Sequence, residues 1–415
     1  MSTLAGKQIV AGICGGIAAY KAAHIVSKLA QAGAEVRVIM TRAARQFVTP
    51  MTFETLSHHK VLTDLWEEPL AHVELAYWAD LFVLMPATYD IVGKLAHGIA
   101  DDLMTTTLAA TRAPVLVIPA MESQMYTNPI FQENKKKLSG LGYRFLEPEK
   151  GHLASGREGI GRFPSEEKIL QAIEEIFAEG ALLKGHRVLV TAGPTREMLD
   201  PMRCITNKSS GKMGYALAEQ ARNFGAEKVC LVTGPTQLLP PGGVECVRVE
   251  SAAEMKEAVL ERFAQYDVIL MAAAVADWRP KKFFSQKLKK SRARELTIVL
   301  EKTTDILSEL GKRKKKNQLL VGFAAETERV LEHARKKLRE KNLDIVVAND
   351  ITAPGAGPEV ETNIVTLLYR DGRSETLPCL PKREVAREIL RRIAQSVPAT
   401  EVAVSADESV LKHAQ

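Results

Sequence analysis

The chain of 415 residues has few cysteines, five in all, at positions 14, 204, 230, 246 and 379. No two of them form a CxxC pair. Disulfide scaffolds and zinc frameworks both need closely spaced sets, so both are excluded and the thiols read as reduced. Long apolar runs are also missing. Among the longest is 268–276 (VILMAAAVA), far short of the ~20 residues a membrane-spanning helix requires. The first twelve residues, MSTLAGKQIVAG, lead almost directly into strand-like sequence without a charged-then-apolar leader. The expectation is a cytoplasmic protein with no membrane partner. Neither GxGxxG nor GxxxxGK[ST] occurs, so the dinucleotide fingerprint and the P-loop are absent. Zinc-finger and RNP signatures are absent too.

What is present is ordinary globular composition, 46% hydrophobic and 26% charged, which argues against a fibre or a disordered chain. The length suggests two or three domains at roughly 100–200 residues each. The net charge is +6, and two runs, 281–294 (KKFFSQKLKKSRAR) and 312–316 (KRKKK), carry much of it. Such runs bind nucleic acid, hold a phosphorylated small molecule, or are simply solvated. With no nucleic-acid motif, the expected partners are small molecules.

The pattern of elements predicts an α/β protein with two doubly wound, Rossmann-like halves. Residues 8–14 (QIVAGIC) read as a strand, 17–33 as a helix ending at Gly33, and 35–40 (EVRVIM) as a second strand, a parallel βαβ unit. Residues 80–88 and 113–121 read as buried strands. A helix and short linker over 166–184 precede a restart: strand 186–193, helix 211–225, and strands 228–234, 267–278, 318–327 and 343–350. A final helix covers 382–395. The domains are expected at 1–180 and 185–396, with a loose tail over 397–415.

Open α/β sheets bind ligands at the carboxyl ends of their strands, so the loops there hold the candidate site residues. Gly12-x-x-Gly15-Gly16 and Gly193-Pro194-Thr195 are strand-to-helix turns that let backbone N–H groups approach an anion; ligand-free turns look the same. Thr41, Thr88 and the run Thr105-Thr106-Thr107 offer hydroxyls to a phosphate or a flavin edge, or simply cap helices. His72 precedes a strand and is either a proton-transfer group or structural. Residues 191–214 read as a long polar loop presenting Asn207 and Ser209-Ser210. Asp277 ends a buried strand, where a ribose hydroxyl or a metal is read. Lys287, Lys337 and Lys341 are candidate phosphate contacts, with solvated lysine as the alternative.

Several blocks then resemble known families. GGIAAYK (15–21), HVELAYWAD (72–80), PATYD (86–90), DDLMTTTLAA (101–110) and PAMESQMY (119–126) resemble the flavin-dependent cysteine decarboxylases. TAGPTREMLDP (191–201), ITNKSSGKMG (205–214), AAAVADW (272–278), QKLKKS (286–291), GFAAET (322–327) and KNLDIVVAND (341–350) resemble phosphopantothenate–cysteine ligase. Both modules in this order are similar to the bifunctional enzymes of bacterial coenzyme A synthesis.

The resemblance implies that the C-terminal half acts first. It would use CTP and Mg2+ to activate 4′-phosphopantothenate as an acyl-cytidylate, which the amine of cysteine attacks. Asp277, Lys287, Thr304, Asp305, Ile306, Phe323, Lys337 and Lys341 match the nucleotide site, and Asn207 matches the asparagine associated with the acyl-cytidylate. The magnesium is expected on the CTP phosphates, with no protein ligand assigned. The N-terminal half would then decarboxylate phosphopantothenoylcysteine to 4′-phosphopantetheine with FMN. His72 matches the essential histidine, while Gly15, Gly16, Ile17, Ala18, Thr41, Thr88, Thr105 and Thr106 fall in the blocks enclosing FMN. Two positions depart from the usual pattern: Glu122 stands where the family carries Asn, and Ser155 where a loop supplies Cys. Two readings follow, a working variant or a ligase whose flavin half is slow or degenerate. A trimeric decarboxylase contact and a dimeric ligase contact in one chain imply a homo-oligomer, a closed dodecamer.

Overall fold

The computed structural model describes residues 3–289 and 296–397. The expected tail beyond residue 397 and the end of the first basic run lie outside the described residues. The chain divides into two units, Met1–Ala178 and Glu179–Gln415.

In the first unit, β1 (Gln8–Ile13) leads into α1 (Ala19–Gln31) and β2 (Glu35–Met40). Next come α2 (Pro50–Ser57), α3 (Ala71–Trp78), β3 (Leu81–Ala87), α4 (Tyr89–His97) and α5 (Leu103–Ala110). They are followed by β4 (Val115–Pro119), α6 (Ser123–Tyr126), α7 (Pro129–Gly140), β5 (Arg144–Phe145), the pair β6 (Glu149–His152) and β7 (Glu158–Arg162), and α8 (Glu166–Glu179). The five-stranded sheet runs β2-β1-β3-β4-β5, all parallel. A parallel sheet needs helices on both faces, and alternation along β1 supplies both. Ile9, Ala11 and Ile13 face the core built with α1, α2 and α8, whereas Val10 faces the one built with α3, α4, α5 and α7. The helix expected from residue 17 starts at Ala19, which leaves residues 15–18 as a loop.

The second unit opens with β8 (Arg187–Ala192), then β9 (Arg196–Asp200), β10 (Arg203–Thr206), α9 (Lys212–Asn223), β11 (Lys228–Thr233) and β12 (Glu245–Arg248). It continues through α10 (Ala252–Phe263), β13 (Val268–Met271), β14 (Trp278–Pro280), β15 (Leu300–Lys302), α11 (Ile306–Arg313), β16 (Leu319–Glu326), α12 (Val330–Glu340) and β17 (Ile345–Asp350). The last elements are β18 (Thr362–Asn363), β19 (Val365–Tyr369), β20 (Ser374–Thr376), β21 (Leu380–Pro381) and α13 (Lys382–Ala394). The main sheet runs β12-β11-β8-β13-β16-β17-β19-β20. Its first six strands are parallel, and β19 and β20 add antiparallel. Val188 and Val190 join the core under α9 and α13, and Leu189 joins the one under α10, α11 and α12.

Two expectations change here. Residues 267–278 are a strand only over β13; the alanines that follow leave the sheet. Ala274 N–H bonds to Gly193 O at 2.9 Å and Ala276 N–H to Thr195 Oγ1 at 3.0 Å. Apolar composition alone could not distinguish this small-residue loop from more strand. The loop expected over 191–214 contains the antiparallel hairpin β9–β10. Its turn is closed by Asp200, whose Oδ1 accepts the N–H groups of Met202 and Arg203 at 2.7 and 2.9 Å.

Gly214 shows how closely α9 lies on β8. A Cβ there would stand 2.5 Å from Ala192 Cβ and 2.8 Å from Thr191 O. Gly214→Ala is therefore expected to destabilise the second unit by about 1–3 kcal/mol, the usual cost of overpacking. Chemical denaturation followed by circular dichroism reads this directly, and an unchanged midpoint would refute the close packing.

Candidate functional site

Chain order and strand order diverge between β1 and β3 in the first unit, so loops leave the sheet in opposite directions and open a crevice. A cavity of about 920 Å3 lies there, within the size of small-molecule sites. The loops after β1, β2, β3 and β4 line it with Gly15 to Ala18, Thr41, Thr88 and Glu122. The segment of β6 and β7 covers one side with His152 to Ser155 and Gly161 to Phe163. β6 and β7 form an antiparallel hairpin with Ser155 in its turn and Gly156 at φ +81°.

Three features fit a flavin. No side chain caps the start of α1, and the N–H groups of Ile17 and Ala18 have no protein acceptor among the described residues. These donors stand at a helix N-terminus, where a phosphate is favoured. A Cβ on Gly16 would meet nothing nearer than Pro86 Cγ at 3.6 Å and Thr88 Cγ2 at 3.9 Å. It would project into the space between these loops, so glycine keeps the cradle open. Thr41 Oγ1 accepts the Ala44 N–H at 3.3 Å and Thr88 Oγ1 the Ile91 N–H at 3.4 Å, leaving each hydroxyl proton for another acceptor.

Glu122 and Ser155 both face this cavity. Glu122 caps α6, its Oε2 accepting the Gln124 N–H at 2.6 Å. His72 stands on α3, the element just before β3, and the cavity lining does not reach it, Thr105 or Thr106. Thr105 is 1% exposed and forms a capping box with Asp102, an arrangement that commits its hydroxyl to the start of α5. Sequence reading did not single out Cys14, Lys94 or Arg162, which also line the cavity. Lys94 is held by Asp90 at 3.6 Å and Asp101 at 3.1 Å. Burial pushes the Cys14 thiol up to about 12, with Asp102 and Asp90 adding to the rise and Thr88 and Lys94 opposing it. Cys14 is a neutral wall of the cavity.

In the second unit the equivalent crevice lies between β8 and β13. The hairpin β9–β10 delivers Asn207, whose Nδ2 donates to Val275 O at 2.9 Å and to Ala274 O at 3.3 Å. Its Oδ1 is thereby turned away from the loop it holds. Asp277 ends that loop, exposed, and its carbonyl accepts the Thr303 N–H at 2.9 Å. Asp305 caps α11 through the Ser308 N–H at 2.9 Å and pairs with Lys341 at 2.8 Å. Lys337 reaches from α12 to donate to Phe323 O at 2.6 Å.

These residues share one electrostatic field. Burial drives the Lys337 ammonium below the usual lysine range, Lys341 adds to that, and Glu326, Asp305 and Asp277 oppose it. Burial likewise raises the Asp305 carboxyl, but Lys341 and the Ser308 N–H outweigh it and hold it below the usual carboxylate range. Thr304 is exposed beside Asp305, while Ile306 is 3% exposed and packs in the core under α11. Lys287 is exposed on the segment after β14. Glu326, which joins the cluster, was not singled out from sequence; its place at the end of a buried strand was the available signal. No group of three or more His, Cys, Asp or Glu placed to hold a metal occurs among the described residues. Nor does any described helix have the length and apolarity to cross a membrane.

The thiols provide a check on burial. Cys204 and Cys379 are exposed, whereas Cys14 and Cys230 are buried. Brief alkylation at pH 8 with mass mapping is expected to label the first two and spare the second two. Labelling of Cys14 as fast as Cys204 would contradict a closed, apolar cavity wall.

Comparison with known proteins gives matches over nearly the whole chain. The Flavoprotein family model matches residues 2–178, and the model for the DNA/pantothenate metabolism flavoprotein C-terminal domain matches residues 183–397. A "Coenzyme A biosynthesis bifunctional protein CoaBC" of Bacillus subtilis (strain 168) is 50% identical over 398 residues, covering 94% of this chain and 97% of that one. A protein of the same description from Borreliella burgdorferi is 42% identical over 389 residues, covering 93% and 98%. A crystal structure of the C-terminal domain of such a protein is 52% identical, covers 52% of this chain and 97% of its own, and has a TM-score of 0.45.

Proposed function

Because the chain belongs to the family of bifunctional coenzyme A biosynthesis proteins, we propose how its residues divide the two reactions. It is a phosphopantothenate–cysteine ligase and a phosphopantothenoylcysteine decarboxylase on one chain. The observation that carries the residue assignment is the pair of crevices at the carboxyl ends of the two parallel sheets. One is a cavity with Cys14 in its wall, opening on free helix N–H groups; the other is a cluster of lysines and aspartates.

In the ligase half, the nucleotide is CTP, and its phosphates meet Lys287, Lys337 and Lys341. Activating the carboxylate of 4′-phosphopantothenate builds negative charge on the leaving pyrophosphate, and the neighbouring cations stabilise it. Magnesium would be held by the phosphates themselves, with no protein ligand assigned, and would offset their charge. Asp277, Thr304, Asp305, Ile306 and Phe323 surround the nucleoside, the last two through backbone. Asn207 Oδ1 faces the acyl-cytidylate and orients the amine of cysteine as it attacks.

In the decarboxylase half, the flavin is FMN, with its phosphate on the N–H groups of Ile17 and Ala18 and its edges on Thr41 and Thr88. FMN supplies a reversible two-electron oxidation at the thiol-bearing carbon, which lets carbon dioxide leave without net redox change. The protein keeps water out with Cys14 and its neighbours. Glu122 faces the carboxylate that is lost, where an ionised neighbour disfavours the charged substrate. Ser155 holds the position of the proton donor, and His72, outside this chain's own cavity, completes the site across a subunit contact of the assembly. The assembly is a dodecamer.

A coupled assay tests the whole reading. Purified protein is given 4′-phosphopantothenate, cysteine, CTP and Mg2+, and the products are weighed by mass spectrometry. 4′-Phosphopantetheine is the expected product. Accumulation of phosphopantothenoylcysteine alone would show that Glu122 and Ser155 have disabled the second step, and neither product would overturn the assignment. Sedimentation as a monomer or dimer would remove the dodecamer.

The depressed Lys337 adds a pH signature. It loses its charge below the ~10.4 of an ordinary lysine, so the KM for CTP is expected to rise earlier on the alkaline side. Lys337→Arg keeps the charge and moves that rise to higher pH; an unmoved profile would exclude Lys337 as the titrating group.

A further inference from the structure

The turn of the hairpin β9–β10 has a feature that its own geometry does not require. Asp200 closes the turn with Oδ1, which accepts the Met202 and Arg203 N–H groups at 2.7 and 2.9 Å. A turn aspartate ordinarily leaves its second oxygen to water. Here the residue is 0% exposed, and Oδ2 accepts the N–H of Leu288 at 3.1 Å, 88 positions along the chain. Arg203 completes the grip: its Nη1 lies 3.4 Å from Asp200 Oδ2, and its Nη2 donates to the carbonyl of Leu288 at 3.1 Å. Both polar backbone atoms of Leu288 are thus held by the turn. A second staple, the Phe284 N–H to Leu199 O at 2.9 Å, holds the same segment four residues earlier.

The residue before the gripped one is Lys287. At the other end of the hairpin, one residue past β10, is Asn207, fixed by its bonds to the carbonyls of Ala274 and Val275. Thr206 Oγ1 adds a bond to Thr195 O at 2.7 Å. One short hairpin therefore carries both groups.

We propose that Asp200 is a positioning residue of the ligase reaction, its buried carboxylate fixing the backbone that carries Lys287 relative to Asn207. This rests on the roles given to Lys287 and Asn207 above. The physical need is plain: residues 281–289 carry four lysines and no helix or strand, and like charges spread such a segment apart. A long lysine side chain adds its own rotamer freedom. Anchoring the adjacent peptide removes the backbone share of that freedom before substrate arrives. Burial raises the Asp200 carboxyl, but the N–H groups of Met202, Leu288 and Arg203, with the Arg203 charge, outweigh it and hold it below the usual carboxylate range. The clamp is charged wherever the enzyme works.

Asp200→Asn is the direct test, made in the full-length, flavin-loaded protein. The amide can keep the turn through its oxygen, but its NH2 then faces the Leu288 N–H, donor against donor. Ligase kcat is expected to fall on the order of 10²-fold, the effect of a displaced catalytic group. The KM for CTP is expected to stay within about threefold, because Lys337 and Lys341 still hold the nucleotide. Flavin absorbance should be unchanged, and the Leu288 amide, slow to exchange in the unaltered protein, should exchange freely. Asp200→Glu, whose extra methylene prevents one carboxylate serving both the turn and Leu288, should behave alike and serves if the asparagine variant is insoluble. Lys287→Ala is measured in parallel. If it loses activity while both Asp200 variants keep kcat within about twofold, the positioning role is overturned. If Lys287→Ala itself is fully active, the reading of Lys287 fails and the inference falls with it.

Discussion

The constraint on which both halves depend is the burial of a parallel sheet on both faces. Strands β1, β3 and β4, and β8, β13 and β16, offer alternate side chains to helices above and below. No side chain in the middle of such a strand is left for chemistry. Parallel hydrogen bonding also forces every loop to one of two edges, and helix N-termini follow the strand carboxyl ends. Ligand chemistry is thereby collected at one edge of each sheet, and the two units solve different problems there with the same frame.

What differs is how each edge is finished. The first unit leaves N–H groups bare at the start of α1 and lines the space with a thiol that burial keeps neutral. A planar, largely apolar cofactor with a phosphate tail suits such walls. The second unit brings half-buried and exposed charges together, so that Lys341 adds to the depression of Lys337 and Asp305 is drawn to Lys341. Asp305 offsets part of this repulsion between cations, and a bound anion would relieve more of it.

Much of the frame was open to reading in the residues. β2 lies over EVRVIM as expected, and β16, β17 and α13 lie within their expected segments, because β-branched runs and helical periodicity report burial directly. The alanine-rich 272–277 did not reveal that it leaves the sheet: small apolar residues suit a strand and a tight loop equally, and the bonds to Gly193 and Thr195 come from 81 residues away. The hairpin β9–β10 was hidden by glycine and polar residues that read as loop. Lys337 and Lys341 stood out in the sequence as candidate phosphate contacts, but Glu326 and Asp200 did not, since each acts through partners distant in sequence.

The sequence by itself determined the class of fold, the restart that separates two α/β halves, and the motif blocks that name the chemistry. All of these depend on neighbours within a few turns of helix or a few residues of strand. Tertiary structure alone decided which threonines line the cavity, Thr88 while also capping α4, and which only cap a helix. It also decided that Cys14 is a neutral wall, and that one turn aspartate grips a peptide 88 residues away. These outcomes depend on burial and on distances between remote segments, and no local pattern of residues encodes either quantity.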